Sequence, residues 1–295
     1  MVKPASRLFG LSLILASVIF GLITGLIVKD LADELSVVIS LWYRFVFSLP
    51  LLFGVAIYQR GIRDWFKINN KPVMTIRVMF GFMGIVFWFL SVRAIPLGQA
   101  TALFQSSVLF VTMFSPIFLG ERVGVYRGAA VVLGLVGIFL ITEAYQEPPS
   151  WGIMFALISA IAGSGLSIAL RKLGKSEVPA TVASIYNGTG FILISLVLLM
   201  MPSYWILPSP DQMIRLVLLG VVASLLQICM TTAYRYSEAV VVSSLRYLQV
   251  LGAGVLGYML FDEVPSHIQL IGAVVIVGSC MFIVLREFQL SRVKS

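Results

Sequence analysis

The sequence predicts an all-α membrane protein of ten transmembrane helices, arranged as a five-plus-five inverted repeat. Three observations predict it. Of 295 residues, 59% are hydrophobic and only 12% charged, far from the composition of soluble domains. Apolar runs long enough to cross a hydrocarbon core, about 20 helical residues, recur ten times with short connections. The chain also matches itself at one constant offset of 142 residues.

The ten segments lie near 8–28, 36–58, 73–93, 98–119, 126–143, 150–170, 179–201, 212–234, 239–261 and 268–287. The first follows Lys3 and Arg7, as a signal core would. Its run from Leu8 to Val28 is too long for that and ends in Lys29-Asp30 without a small-residue cleavage site, so it reads as a retained helix. The second, VVISLWYRFVFSLPLLFGV, holds Arg44 and Pro50, and the third offers Trp88. In the fourth, Thr101, Gln105, Thr112 and Ser115 follow steps of four, seven and three, one face of an unbroken helix. Pro50 and Pro116 are candidate kinks. The fifth ends at Glu143, and EAYQEPPS divides the chain into repeats 1–147 and 148–295.

The second copy repeats these features. Ser159, Gly163 and Ser167 in the sixth segment answer Ser17, Gly21 and Thr24 in the first; small faces of this kind let helices approach. Asn187, in the seventh, is a secondary site candidate. Gln227 and Thr231 stand four apart in the eighth, and the ninth contains SSLRYLQV with Arg246, Tyr247 and Gln249. At the 142-residue offset Phe9-Gly10 meets Trp151-Gly152, Gly21 meets Gly163, Arg93 meets Arg235 and Glu121 meets Glu263. Five helices is an odd number, so the second copy enters the membrane from the opposite side. Inverted repeats of this kind mark secondary transporters.

Charge reports topology. With the N-terminus inside, sixteen Lys and Arg fall on cytoplasmic connections, including the five from Arg60 to Arg77. Only Lys29, Arg93 and Arg215 fall outside. The positive-inside rule then places both termini in the cytoplasm, in a multi-pass protein of a bacterial inner (plasma) membrane. The pI of 9.7 therefore reflects the bilayer, and no nucleic acid partner is implied. Cys229 and Cys280 lie in apolar segments as small hydrophobes. Neither they nor the single His267 form a metal-ligand set, and no cofactor is implied. No nucleophile or phosphate-loop motif occurs, which argues against an enzyme.

Arg44 and Arg246 are the anomalies. An arginine at the centre of a bilayer costs about 2.5–3.5 kcal/mol or more, so each should face the bundle interior. All 13 acidic residues lie in loops or at helix ends, Glu143 being the nearest to depth. Snorkelling, or carbonyls freed at a kink, could satisfy Arg44. An unpaired guanidinium in a wet cavity suits a carboxylate or phosphate. Without a buried acid, exchange or facilitated diffusion fits better than direct proton coupling.

WYRF in the second segment, AIPLGQATALFQSSVLFVTMFSPIFLGERVGVYRGAAVVLGLVGIFLI, and the second copy's SEAVVVSSLRYLQVLGAGVLGYMLFDEVPSHIQLIGAVVIVGS resemble an EamA-type member of the drug/metabolite transporter superfamily. The passages around Gly120-Glu121-Arg122 and Asp262-Glu263-Val264-Pro265 are the most specific. The resemblance implies a metabolite carrier whose cavity is walled by segments three, four, eight and nine, aided by one and six, with five and ten peripheral. It places Trp88, Gln105, Gln227, Arg246 and Tyr247 at the substrate, with Arg44 and Asn187 as secondary candidates. RYLQ is also similar to RYLE in carriers of S-adenosylmethionine, with Gln249 in place of the acid. The expected function is secondary transport of a small organic metabolite bearing a carboxylate, of amino-acid or S-adenosylmethionine type, by alternating access around a central cavity. The alternatives are a non-transporting scaffold or receptor, or an exporter of other metabolites or drugs. Expected partners are the small-molecule substrate and the lipid bilayer, and a homodimer is compatible with both.

Overall fold

Each apolar run becomes a helix because its ends carry stop and start signals. Ser36 accepts from the Ile39 N–H and opens α1's successor, α2 (Val37–Arg60), after α1 (Pro4–Asp30). Gly61 ends α2 with φ 79°, a left-handed value that glycine adopts without a Cβ penalty. Asn70 caps α3 (Lys71–Ala94), and Pro72 sits in its first turn, where a missing N–H costs nothing. Ser150 caps α7 (Trp151–Leu173), Pro179 begins α8 (Pro179–Met200) and Pro210 begins α9 (Pro210–Tyr236). A short 3-10 turn, Pro202–Tyr204, lies between those last two.

The computed structural model describes residues 4–119, 124–143, 149–174, 176–236 and 245–293. The remaining helices are α4 (Leu97–Gln105), α5 (Ser107–Leu119), α6 (Val125–Ile141), α10 (Leu248–Phe261) and α11 (His267–Val293). Among the described residues all regular structure is helical. Among the described residues eight spans are long and apolar enough to cross a membrane, counting Leu97–Phe114 as one. Val125–Ile141 and Leu248–Phe261 are apolar but shorter. The expected repeat boundary at 147/148, the Gly120-Glu121-Arg122 passage and Ser243 lie outside the described residues.

The fourth segment departs from expectation. It is two helices, α4 and α5, separated by a turn at Ser106. There the Ser106 Oγ donates to the Leu103 carbonyl, and Leu109 N–H donates to Ser106 in a three-residue step. The second copy has its own turn at Tyr247, where Val250 N–H donates back to Tyr247. Pro50, by contrast, is carried inside an unbroken α2.

The principal packing pairs all join one half to the other. α1 packs on α9, α3 on α7, α2 on α8, α4 on α10 and α6 on α11. Backbones approach closely where side chains vanish: a Cβ on Gly98 of α4 would stand 2.9 Å from Gly254 Cα in α10. Serines tie helices through carbonyls, as Ser159 does to Gly84 (2.8 Å), Ser48 to Gly220 (2.9 Å) and Ser184 to Leu52 (2.9 Å). Such small and hydroxyl-bearing contacts replace the hydrophobic drive that lipid removes.

Candidate functional site in the central cavity

Arg77, Gly81, Gly84 and Trp88 follow steps of four, three and four along α3, so they share one face. All four line a cavity between the two halves. Across it stand Gln227 and Thr231 of α9, Gly163 and Ser167 of α7, and Gly21 and Thr24 of α1. Arg44 of α2 and Tyr186 of α8 complete one wall. Phe104 and Ser107 flank the Ser106 turn, while Arg246 and Gln249 flank the Tyr247 turn. The cavity is partly open to one side and has a volume of about 160 Å³.

The lining repeats at the same offset as the sequence. Gly21 pairs with Gly163, Gly84 with Leu226, Trp88 with Met230, Phe104 with Arg246, and Ser107 with Gln249. Among the described residues none of α6 or α11 lines it.

Two arginines dominate the electrostatics. Arg44 is 3% exposed and Arg77 4%. The Arg77 guanidinium lies 4.0 Å from the centroid of the Tyr186 ring, and its Nη2 donates a long bond, 3.4 Å, to Gln227 Oε1. Arg44 Cζ sits 5.0 Å over Phe45, whose ring packs edge-on to Tyr186. Tyr186 is thus a neighbour of both charges, and its hydroxyl donates to the Gly81 carbonyl. Gly81 has no side chain because a Cβ there would collide with Arg77 Nη1. Nε and Nη1 of both arginines lack any hydrogen-bond partner. No Asp or Glu occurs among the described lining residues.

Arg77 corrects the sequence reading, which counted it as a cytoplasmic connection charge. It lies in the second turn of α3 and is buried in the bundle. The signal that could have found it is its register with Gly81, Gly84 and Trp88. Neither alternative relief for Arg44 is observed: it does not snorkel to the surface, and no carbonyl near Pro50 takes its Nε or Nη1.

The expected site residues divide into two groups. Trp88, Gln227, Arg246 and Arg44 line the cavity. Gln105, Tyr247 and Asn187 are buried away from its wall. Gln105 Nε2 donates to the Arg246 carbonyl at 2.9 Å, joining the two helix breaks. The Tyr247 hydroxyl lies beside the Cys280 thiol, and Asn187 Nδ2 donates to Ala183 within its own helix. The turn at Ser106 resets the helical phase, so the face drawn for a continuous fourth helix does not extend from Gln105 into α5.

One end of the cavity is fastened by contacts between the halves. Lys29 Nζ pairs with Glu263 at 2.7 Å and donates to the Ile95 carbonyl, while Glu263 also accepts the Leu97 N–H at 2.7 Å. Arg215 pairs with Asp30 and Glu34. Hydrogen bonds from Gln212 and Arg215 hold the Glu34 carboxyl below its ordinary range. Glu143, the acid nearest to depth in the sequence, is engaged at this end by Ser266 and Gln269.

The EamA-like transporter family model matches residues 8–143 and 150–285. The chain belongs to the EamA-like transporter family. The two matches are displaced by the same 142 residues as the internal repeat. Similar curated proteins include a riboflavin transporter of Rhizobium johnstonii, 26% identical, covering 99% of this chain and 96% of that one. A pseudopaline exporter of Pseudomonas aeruginosa is 27% identical over 91% and 93% of the two chains. An S-adenosylmethionine uptake transporter of Rickettsia conorii is 25% identical over 95% and 94%. A solved crystal structure superposes with a TM-score of 0.68 at 17% identity, covering 96% of this chain and 98% of that one; it supports the fold. The EamA-like chain is a multi-pass membrane transporter, not an enzyme.

Proposed function

We propose that this EamA-like protein is a secondary transporter of a small organic metabolite bearing a carboxylate, working by alternating access around the central cavity. The observation that carries this reading is the charge of the lining: Arg44, Arg77 and Arg246 line the central cavity with no described acid beside them. Guanidiniums are the side chains best suited to carboxylates. A cation would meet three like charges there, so an amino acid or organic acid fits this wall better than a sulfonium-bearing substrate of S-adenosylmethionine type. Within this reading Trp88, Gln227 and Arg246 contact substrate, with Arg44 beside them. Gln105 and Tyr247 position the Arg246 backbone, and Asn187 supports the wall behind Tyr186.

The same reading assigns ten spans, with α4 and α5 forming one and residues 239–261 another. The halves 1–147 and 148–295 insert oppositely, and both termini lie on the cytoplasmic side of a bacterial inner membrane. The half-to-half pairing of all five packing pairs supports a pseudo-twofold arrangement. Contacts around Lys29 and Glu263 then close the outer side, leaving the cavity to open inward. Substrate exchange is the favoured mode, because no described acid in the lining can carry a proton.

The test is counterflow in proteoliposomes preloaded with unlabelled amino and organic acids. Uptake of labelled substrate that requires an internal partner is expected. A protein that binds these acids yet never moves them across the bilayer is not a carrier.

A further inference from the structure

We infer that Arg44 and Arg77 together form a subsite for a doubly negative group, either a phosphoryl group or a pair of carboxylates on one short carbon frame. The inference rests on the cavity being a ligand site, as argued above, and adds the charge of the ligand to it.

Three observations carry it. First, two fully buried guanidiniums share one neighbour, Tyr186, so each lies within the other's field. Second, neither has a carboxylate counterion: no Asp or Glu stands among the described lining residues, and the side-chain partners they do have, Gln227 for Arg77 and Tyr186 for both, are neutral. Third, Nε and Nη1 of both are without hydrogen-bond partners. A buried charge with no partner is a severe burden on a fold. One such arginine would be matched by a single carboxylate, but two side by side are not. A monoanion leaves one positive charge in place, whereas a dianion neutralises both. Guanidinium remains protonated in proteins, so the mismatch cannot be relieved by losing a proton.

The surroundings are shaped to hold these charges. Tyr186 gives Arg77 a ring face to stack on, and the bare Gly81 leaves room for its head to fold back along α3. Phe45 does the same for Arg44. Arg246, with Gln249 close to Gly21, belongs to a different wall, where it remains available to the rest of the ligand.

The experiment is a charge series on the purified full-length protein. Acetate and methyl phosphate serve as monoanions, the latter at a pH below its second ionisation; malonate, succinate and inorganic phosphate at pH 8 serve as dianions. Binding is read by calorimetry and by thermal shift. The expected result is at least tenfold tighter binding of a dianion than of the matched monoanion. Malonate against phosphate distinguishes the paired carboxylate from the phosphoryl group. Arg44→Gln and Arg77→Gln should each reduce the dianion to the monoanion level, and the wild-type series needs no variant to fold. Equal affinity across the charge series overturns the inference. A dianion preference unchanged in both variants overturns it as well. Dianion preference without counterflow would retain this subsite and remove the carrier reading; counterflow without dianion preference would do the reverse.

Discussion

Set at the 142-residue offset, the two halves of the cavity share a backbone plan but not a chemistry. Arg44 in the first half stands where the second has Tyr186, and Arg77 where it has Leu219. Trp88 faces Met230 in the same comparison, Ile85 faces Gln227, and Phe104 faces Arg246. Gly21 and Gly163 are kept, but Gly84 meets Leu226 and Ser107 meets Gln249. The helix break recurs in both halves, at Ser106 and Tyr247, while the groups that line the cavity differ. The charge lies mainly on one wall, so a ligand entering this space has a fixed orientation.

Exchanging counterparts would break that asymmetry. Arg77→Leu, which borrows the residue of the second half, should abolish anion binding and counterflow. It should also raise thermal stability, since a buried charge without a counterion burdens the fold and an apolar side chain does not. A melting curve and a flux assay on the same preparation check both halves of this prediction; a destabilised variant would mean that Arg77 is structural. Arg246→Ala should come next, removing most flux with the fold intact. Arg246→Lys should recover little of it if a planar two-point contact matters, which initial rates would reveal.

Gln105→Leu probes the joint between the halves. It strands the Arg246 carbonyl at the helix break, and a buried group left unpaired costs about 1–3 kcal/mol. Chemical or thermal denaturation should show that loss, together with a weaker flux. Trp88→Met, another borrowed counterpart, should have the smallest effect. It leaves the anion subsite alone, so dianion affinity should change less than threefold while selectivity for the apolar part of the substrate shifts. A competition assay across side-chain sizes measures this.

Much of the fold was legible because bilayers write plainly in sequence. Apolar runs and breakers located the helices, and the self-match located the repeat. The site was less legible, for two reasons. Arg77 lies near the start of an apolar run, where basic residues usually mark an interface, so charge counting absorbed it. Its register with Gly81, Gly84 and Trp88 was the better guide. The turn at Ser106 has no glycine or proline to announce it, and Pro116 drew attention ten residues away. Reading 98–119 as one helix put Gln105 on the cavity face, whereas its amide is spent on the Arg246 carbonyl. Periodicity reports faces only while the helix continues.

Guanidiniums that keep their protons are also charges on which a transmembrane voltage acts. Carrying one elementary charge fully through 100 mV changes its energy by about 2.3 kcal/mol. A dianion seated between Arg44 and Arg77 would cancel those two charges, while the empty subsite would feel the field on its way back. In such a carrier the resting potential would govern the idle half of the cycle and leave the loaded half to concentration alone.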